Sequence, residues 1–419
     1  MNSERLILRN AVALVGEELE PTSFREILIV GDRIAALDDA GDQDGATVLD
    51  LDGKFVLPGL IDAHVHFGLT GSLDAYAHWR KPLVARGATL VRNGIIALAH
   101  GITSIRDLGS VDDSVIEYGR LTETGEIIGP RVVACGRPIA MTGGHGWEFA
   151  READGVAEVR KAVREQVRSR AGVIKLMATG GLSTPGNADS LELGPDELAA
   201  GIEEAAKAGL RSAAHAHAGA GIRAAVEAGV TSIEHAAFAG PAEVELMRRS
   251  GTYLVPTLVA VANVRPGSGI DPEVIAKTEA AREIFHANVE QAIRGGVTIA
   301  AGTDAGTALN PIGLLVDELQ LYGGMGLGNL DVIRTATVTA GQLLGLPVGS
   351  IEPGFFADLI VTNGDPRDDL ELLRRPELVI SAGRAIDPAW ARRTALALGR
   401  EESDRLLHLD RKTEEVVAR

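Results

Sequence analysis

The sequence predicts an α/β protein: a (β/α)8 TIM barrel flanked by strand-rich N- and C-terminal segments. Three observations carry this reading. From about Pro58 to Gly345, short apolar strands alternate with Ala-rich amphipathic helices, the pattern of βα units around a parallel sheet. The first 57 residues read instead as strands and turns, with LILRNAVALV and FREILIVGDRIAALD as short apolar runs. That texture returns over 346–387, in GSIEPGFFADLIVTNGDP and ELVISAGRAI.

Eight strand candidates fill the middle region, at 56–66, 101–109, 131–141, 172–181, 210–218, 231–238, 252–260 and 297–306. Helical stretches separate them. In DGVAEVRKAVREQVRSR, Val156, Val159, Ala162, Val163 and Val167 share one face and Arg and Glu take the other. In 195–209, Pro opens a helix and Gly closes it. Eight such units over 58–345 match one barrel. No shorter repeat is present, which argues against a solenoid. The remaining segment, 388–419, reads as a charged helical extension whose Leu396, Leu398, Leu406, Leu407 and Leu409 pack on a neighbouring subunit or on the chain's own barrel.

The 419 residues suffice for a large barrel with an attachment, and 45% hydrophobic with 24% charged residues is a globular composition. Aromatics are only 4%, so Ala, Val, Leu and Ile must build the core. The net charge of −17 repels phosphate backbones and anionic headgroups, which disfavours nucleic acid and membrane surfaces as partners. A single cysteine, Cys135, excludes an intramolecular disulfide framework and thiolate metal clusters. The start MNSERLILRN lacks a signal-peptide layout, and no apolar run approaches the roughly 20 residues of a membrane span. A cytoplasmic protein is expected.

In such barrels, reactive residues gather at the C-terminal ends of the strands, and the metal-type residues here gather there. His64 and His66 end the first strand; as i and i+2 they share a face and can chelate one ion. Lys175 sits between Val173, Ile174, Leu176 and Met177, where burial lowers an amine's pKa. It is either a snorkelling or salt-bridged lysine, or a neutral amine that captures carbon dioxide as a metal-bridging carbamate. His215 and His217 face the same way at the fifth strand, with His215 the better ligand and His217 an orienter or polar lining. His235 follows the sixth strand. Asp304 in AGTDAG is either a helix N-cap or a ligand that doubles as general base. His145, in the glycine-rich GGHG loop after the third strand, is placed to polarise a substrate carbonyl. Glu234, Asp62, Asp107 and Arg106 read as barrel-core pairs or as supports for these ligands.

Taken together, VLPGLIDAHVH, the strand-four Lys of VIKLMATGG, His215, His235 and the Asp of GTDAG resemble the amidohydrolase superfamily. The flanking IEPGFFADLIV and VISAGR are similar to its small composite β-sandwich built from the N- and C-terminal segments, so the likeness runs to about residue 387. Within the superfamily, TGGHG, IKLMATGG and LVPTL resemble the branch of Xaa-Pro dipeptidases and metal-dependent carboxypeptidases, with its amide-, carbamate- and mycotoxin-hydrolysing relatives. The resemblance implies two divalent metal ions, most often zinc (Zn2+). His64, His66 and Asp304 would hold one, His215 and His235 the other, and carboxylated Lys175 would bridge them. It further implies hydrolysis of an amide-type C–N bond in a small-molecule substrate. On that resemblance the two ions would lower the pKa of a shared water, His145 would polarise the carbonyl, and Asp304 would relay the proton to the leaving nitrogen. A homo-oligomer is also implied.

One departure concerns the substrate side. Dipeptidase relatives often carry Tyr three residues after the strand-six His, where this chain has Phe238, which cannot donate a hydrogen bond; Tyr253 is a candidate replacement. His145, His217, Phe238 and Tyr253 are therefore the expected substrate-binding residues. A mononuclear deaminase or cyclic amidohydrolase of the imidazolonepropionase type is the alternative. Ala218 stands where such relatives place a proton-shuttling Glu, and they usually lack a bridging Lys. A non-catalytic scaffold is opposed by the filled ligand positions.

Overall fold

The computed structural model describes residues 5–39, 41, 44–182 and 187–398. Five strands open the chain: β1 (Arg5–Val15), β2 (Glu20–Val30), β3 (Arg33–Leu37), β4 (Thr47–Asp50) and β5 (Phe55–Pro58). Nine follow: β6 (Leu60–Val65), β7 (Ile102–Asp107), β8 (Arg131–Ala134), β9 (Ile139–Ala140), β10 (Arg151–Glu152), β11 (Val173–Met177), β12 (Arg211–Ala218), β13 (Ser232–Phe238) and β14 (Tyr253–Val255). Three close it: β15 (Leu359–Thr362), β16 (Leu378–Ser381) and β17 (Arg384–Ile386).

The terminal segments meet in one mixed eight-stranded sheet, ordered β17-β16-β15-β5-β1-β2-β3, with β4 beside β1. Two facing sheets were expected. Hydrogen bonding instead runs continuously, because β1 pairs β4 through Leu6–Arg9 and β5 through Val12 and Ala13. Alternating Leu6, Leu8, Ile27, Ile29, Leu359 and Ile380 bury one face as its core. Phe356, stacked between the guanidinium groups of Arg33 and Arg131, and the Arg131–Asp358 ion pair at 2.5 Å tie this sheet to β8.

The middle region is an α/β, barrel-like arrangement of parallel strands. Two sheets carry it, one ordered β6-β7-β8 and one β10-β9-β11-β12-β13-β14. β6, β7 and β11 are buried along their whole lengths, as strands covered on both faces must be. Two of the expected strands are shorter than their sequences suggest. The third splits into β8 and β9 at CGRP, where Gly136 takes φ +67 and Pro138 has no N–H to give a ladder. The eighth, 297–306, forms no ladder of its own. It touches its neighbours through the bridges Leu254–Ile299 and Val65–Ala305, and through Ala63 N–H to Ala301 O and Asp304 N–H to His64 O. Asp304 takes φ +58, which breaks the pleat where the side chain must turn inward.

The helices match their sequences in part. Of the apolar face expected on Val156–Arg168, Val159, Ala162 and Val163 are buried, with Gln166, whereas Val156 and Val167 at its two ends are exposed. Pro195–Lys207 starts on Pro, with Glu197 accepting the Gly194 N–H at 2.7 Å. Helix Pro388–Leu398 packs on helix Leu83–Ala99 of the same chain, and Arg392 donates to Ala99 O. Leu406, Leu407 and Leu409 lie outside the described residues. Among the described residues, no helix is long and apolar enough to cross a membrane.

Candidate metal centre and active site

The C-terminal ends of the parallel strands open into one cavity of about 350 Å³. His64 and His66 reach it from β6, Lys175 from β11, His215 and His217 from β12, His235 from β13, and Asp304 from the 297–306 segment. His145 joins them from the loop between β9 and β10. Eight of the ten residues expected at the site thus line a single space.

His64, His66 and Asp304 form the tightest group, with ligand atoms all within 4.8 Å of one another. The Asp304 Oδ1 lies 3.1 Å from His66 Nε2 and 3.5 Å from His64 Nε2. Both imidazoles present Nε2 because their Nδ1 atoms are committed elsewhere. His66 Nδ1 faces Gly109 O at 3.0 Å, an acceptor only, so that nitrogen carries the proton. His64 Nδ1 faces Glu234 at 2.8 Å. Burial pushes the Glu234 carboxyl up, but Arg106 and His64 beside it overcome this and bring it down to about 2. It is an anion, and His64 donates to it.

Arg106 is the far end of this chain of contacts. Its guanidinium donates to Glu234 at 2.9 Å, to Ser232 Oγ at 2.9 Å and to Ala63 O at 2.6 Å, and it is only 1% exposed. The pair therefore sits in the protein interior between β6, β7 and β13, with every partner supplied. Glu234, Arg106 and Asp62 were left open between core pairing and ligand support. Glu234 and Asp62 contact β6 and the Asp304 segment directly: Asp62 accepts Thr303 N–H at 3.0 Å, its hydroxyl at 2.6 Å and His64 N–H at 3.3 Å. The signal in the sequence was compensation: an acid in one apolar strand and an Arg in another.

His215 and His235 face each other, with ring centroids 4.7 Å apart, and His64 lies 5.0 Å from His235. Thr257 Oγ1 holds His235 Nδ1 at 2.7 Å, and Gly180 O holds His215 Nε2 at 3.1 Å. Burial drives the pKa of both imidazoles down, so both are neutral and offer lone pairs. Lys175 Nζ is buried without a hydrogen-bond partner among the described residues. Burial also lowers its pKa to about 8. A buried amine with nothing to bind, among neutral imidazoles and an ionised Asp304, is a donor set that fits cations and a carbamate.

His145 stands beside His215, their ring centroids 4.2 Å apart. Glu192 accepts its N–H at 2.7 Å, and Gly181 lies against the ring so closely that any Cβ there would strike it. Burial lowers the His145 pKa to about 4, so it acts as a neutral imidazole. Two expectations are corrected. Tyr253 is the first residue of β14, paired with Ser232 at the opposite end of the strands, and packs near Ile61, Leu344 and Phe356. It cannot replace a carbonyl donor. Phe238 ends β13 with its ring 6.3 Å from that of His217 and outside the lining. Much of the remaining wall is apolar, including Leu69, Trp79, Phe149, Leu182, Val261 and Phe285, with Asp74, Asp271 and three threonines among these. Sequence reasoning missed these because they lie on loops and helices far apart in the chain.

The amidohydrolase family model matches residues 55–386. Ochratoxinase of Aspergillus niger is 35% identical over 362 residues, covering 77% of this chain and 73% of that protein. Its crystal structure superposes with a TM-score of 0.81, over 92% of this chain and 96% of that one. A prolidase complexed with N-methylphosphonate-L-proline gives 0.84 at 30% identity, over 91% and 99%. A Xaa-Pro dipeptidase with methionine in its active site gives 0.82 at 28% identity, over 92% and 100%.

Proposed function

Since this chain belongs to the amidohydrolase family and is a hydrolase acting on amide-type C–N bonds, we propose that it cleaves a small amide with apolar flanks at a binuclear metal centre. His64, His66 and Asp304 would hold one divalent ion and His215 and His235 a second, most often zinc, with carboxylated Lys175 between them. Bound there, the ions would supply Lewis acidity and lower the pKa of an attacking water.

The chain's own residues do the rest. The neutral fraction of Lys175, enlarged by its lowered pKa, would combine with carbon dioxide, its nitrogen forming the new C–N bond and losing a proton to solvent. His145 donates to the carbonyl oxygen as charge develops on it. Asp304 accepts a proton from the attacking water and passes it to the leaving nitrogen. The apolar wall excludes bulk water and holds the flanking groups of the substrate.

The observation that carries this reading is the convergence of six ligand-type side chains from four strands and the 297–306 segment, with the Lys175 amine buried and unpartnered among the described residues. The mononuclear deaminase draws support from the one tight group, His64, His66 and Asp304. Against it, Ala218 offers no proton shuttle where β12 ends. The test is turnover of N-acyl amino acids, dipeptides, carbamates and aryl amides by metal-loaded enzyme, with metal content measured alongside. Release of a free amine or amino acid at two ions per chain supports the proposal. Ammonia released from a ring at one ion per chain overturns it.

A further inference from the structure

His145 must be aimed at a substrate carbonyl, yet it rides on a loop rich in glycine. Gly143 and Gly146, on either side of it, take φ +70 and +69. Three carboxylates hold the backbone of this loop. Asp154 accepts Thr142 N–H at 3.0 Å, Glu152 accepts Gly143 N–H at 2.8 Å, and Glu192 accepts His145 N–H at 2.7 Å. Asp154 and Glu152 follow shortly in the same stretch of chain. Glu192 lies beyond β11, so its contact joins two separate stretches at the strand ends.

Glu192 is itself anchored to the sheet. Its N–H donates to Ala178 O at 2.9 Å, and Ala178, the residue after β11, donates its own N–H to His215 O at 2.9 Å. Thr179 and Leu191 form a bridge beside it, and Gly180 N–H donates to Ser190 O at 3.0 Å. The half-buried carboxylate is thus fixed relative to the strand ends that carry Lys175 and His215. Glycine admits the close approach on both sides. A Cβ on Gly144 would lie 2.7 Å from the Glu192 carboxylate oxygen, and one on Gly181 would lie 2.3 Å from the His145 ring. His145 is therefore held twice from the β11 side, by its N–H and by its ring.

We infer that Glu192 is a positioning residue: by holding the His145 N–H against the end of β11, it fixes the imidazole where the substrate carbonyl must lie. The inference rests on the amide-hydrolase reading for the reaction, and one readout is independent of turnover. In zinc-loaded protein labelled with carbon-13 at histidine Cε1, the His145 signal is assigned by its loss in His145→Ala. Glu192→Ala should shift that signal, while Glu192→Gln, which keeps an acceptor in place, should leave it near its wild-type position. Glu192→Asp keeps the charge but draws the acceptor back by one methylene, and should shift the signal as Glu192→Ala does. With p-nitroacetanilide as probe, Glu192→Ala should lower kcat about 100-fold, the scale of a misplaced catalytic group, with KM and metal content changed less than about twofold. Glu192→Gln should recover most of that loss. Added to His145→Ala, Glu192→Ala should cost less than about twofold, because it acts only through that imidazole.

An unmoved His145 signal in Glu192→Ala and Glu192→Asp overturns the inference. So does a rise in KM at constant kcat, which would make Glu192 a support of the cavity wall alone. A loss of equal size in the wild-type and His145→Ala backgrounds overturns it as well, since Glu192 would then act on the fold at large. If wild type cleaves no amide, the proposed reaction fails, and the His145 signal alone decides whether Glu192 holds the imidazole.

Discussion

Replacing Glu234 by Gln keeps the side-chain shape and removes one charge from a fully buried position. The carboxylate is fully buried and serves three donors: Arg106 at 2.9 Å, Ser232 Oγ at 2.5 Å and His64 Nδ1 at 2.8 Å. Leaving a buried guanidinium without its partner costs roughly 3–5 kcal/mol, and a neutral amide oxygen recovers about 1 kcal/mol as an ordinary acceptor. The variant should thus lose roughly 2–4 kcal/mol of stability in urea titrations of metal-free protein.

A second effect is specific to the metal. Without an ionised acceptor on Nδ1, His64 becomes a poorer ligand at Nε2, and a change of this kind typically weakens metal binding by roughly 10–100-fold. Chelator competition measures it directly. The double variant Arg106→Gln/Glu234→Gln separates the two effects. It removes the unpaired charge and should regain most of the stability, while metal affinity stays low. If Glu234→Gln loses stability but binds metal within about twofold of wild type, the carboxylate is only a core partner of Arg106 and does not prepare His64.

Three further outcomes are expected. Lys175→Ala should lower metal content from two ions per chain to one and abolish turnover, with partial recovery in millimolar short-chain carboxylic acids; full activity without them removes the bridging role. Gly181→Ala must displace the His145 ring, so kcat should drop by roughly 100-fold, the scale of one lost oxyanion donor, with metal content unchanged. Glu318 is raised by burial from its ordinary 4.5 to about 7, so the folded state holds its proton more tightly than the unfolded state does. The stability this adds is complete below pH 4.5 and is lost as pH rises through about 7, a change of roughly 3 kcal/mol. Urea titrations at pH 4.5 and pH 8 should show that loss in wild type relative to Glu318→Gln; equal slopes in both proteins would refute it.

The sequence was most legible where one residue type is costly in its setting. Six ligand-type residues at strand ends stood out because Val, Ile, Leu and Ala surround them, and the structure brings all six to one cavity. Strand continuity was less legible. Apolar character at 131–141 and 297–306 predicts burial equally well for a ladder strand and for an irregular segment, and both regions are irregular. The substrate wall was least legible, since Trp79, Phe149 and Phe285 carry no periodic signal toward a shared cavity. Tyr253 shows the limit from the other side: its chemistry suited the role, but β14 is three residues long and enters from the wrong end.

Backbone strain links the buried acids to the site. His235, Ala236, Thr257 and Asp304 all take positive φ, between 58° and 73°, without being glycine. Each such residue costs on the order of 1–3 kcal/mol and persists only where its surroundings hold it. Here the holding groups can be named. Asp62 binds both polar atoms of Thr303, next to Asp304. Thr257 is tied to the His235 ring. Glu318 accepts the N–H groups of Leu258 and Val259, directly after Thr257. Glycine would adopt these conformations freely but would bring no ligand, so at positions 235 and 304 the side chain decides. Burying Asp62 and Glu318, at the cost of pushing each up to about 7, fixes the turns that aim His235 and Asp304 inward. The strained turns and the costly acids are therefore two halves of one arrangement: the hydrogen bonds of Asp62 and Glu318 hold the turns that bring His235 and Asp304 to the cavity.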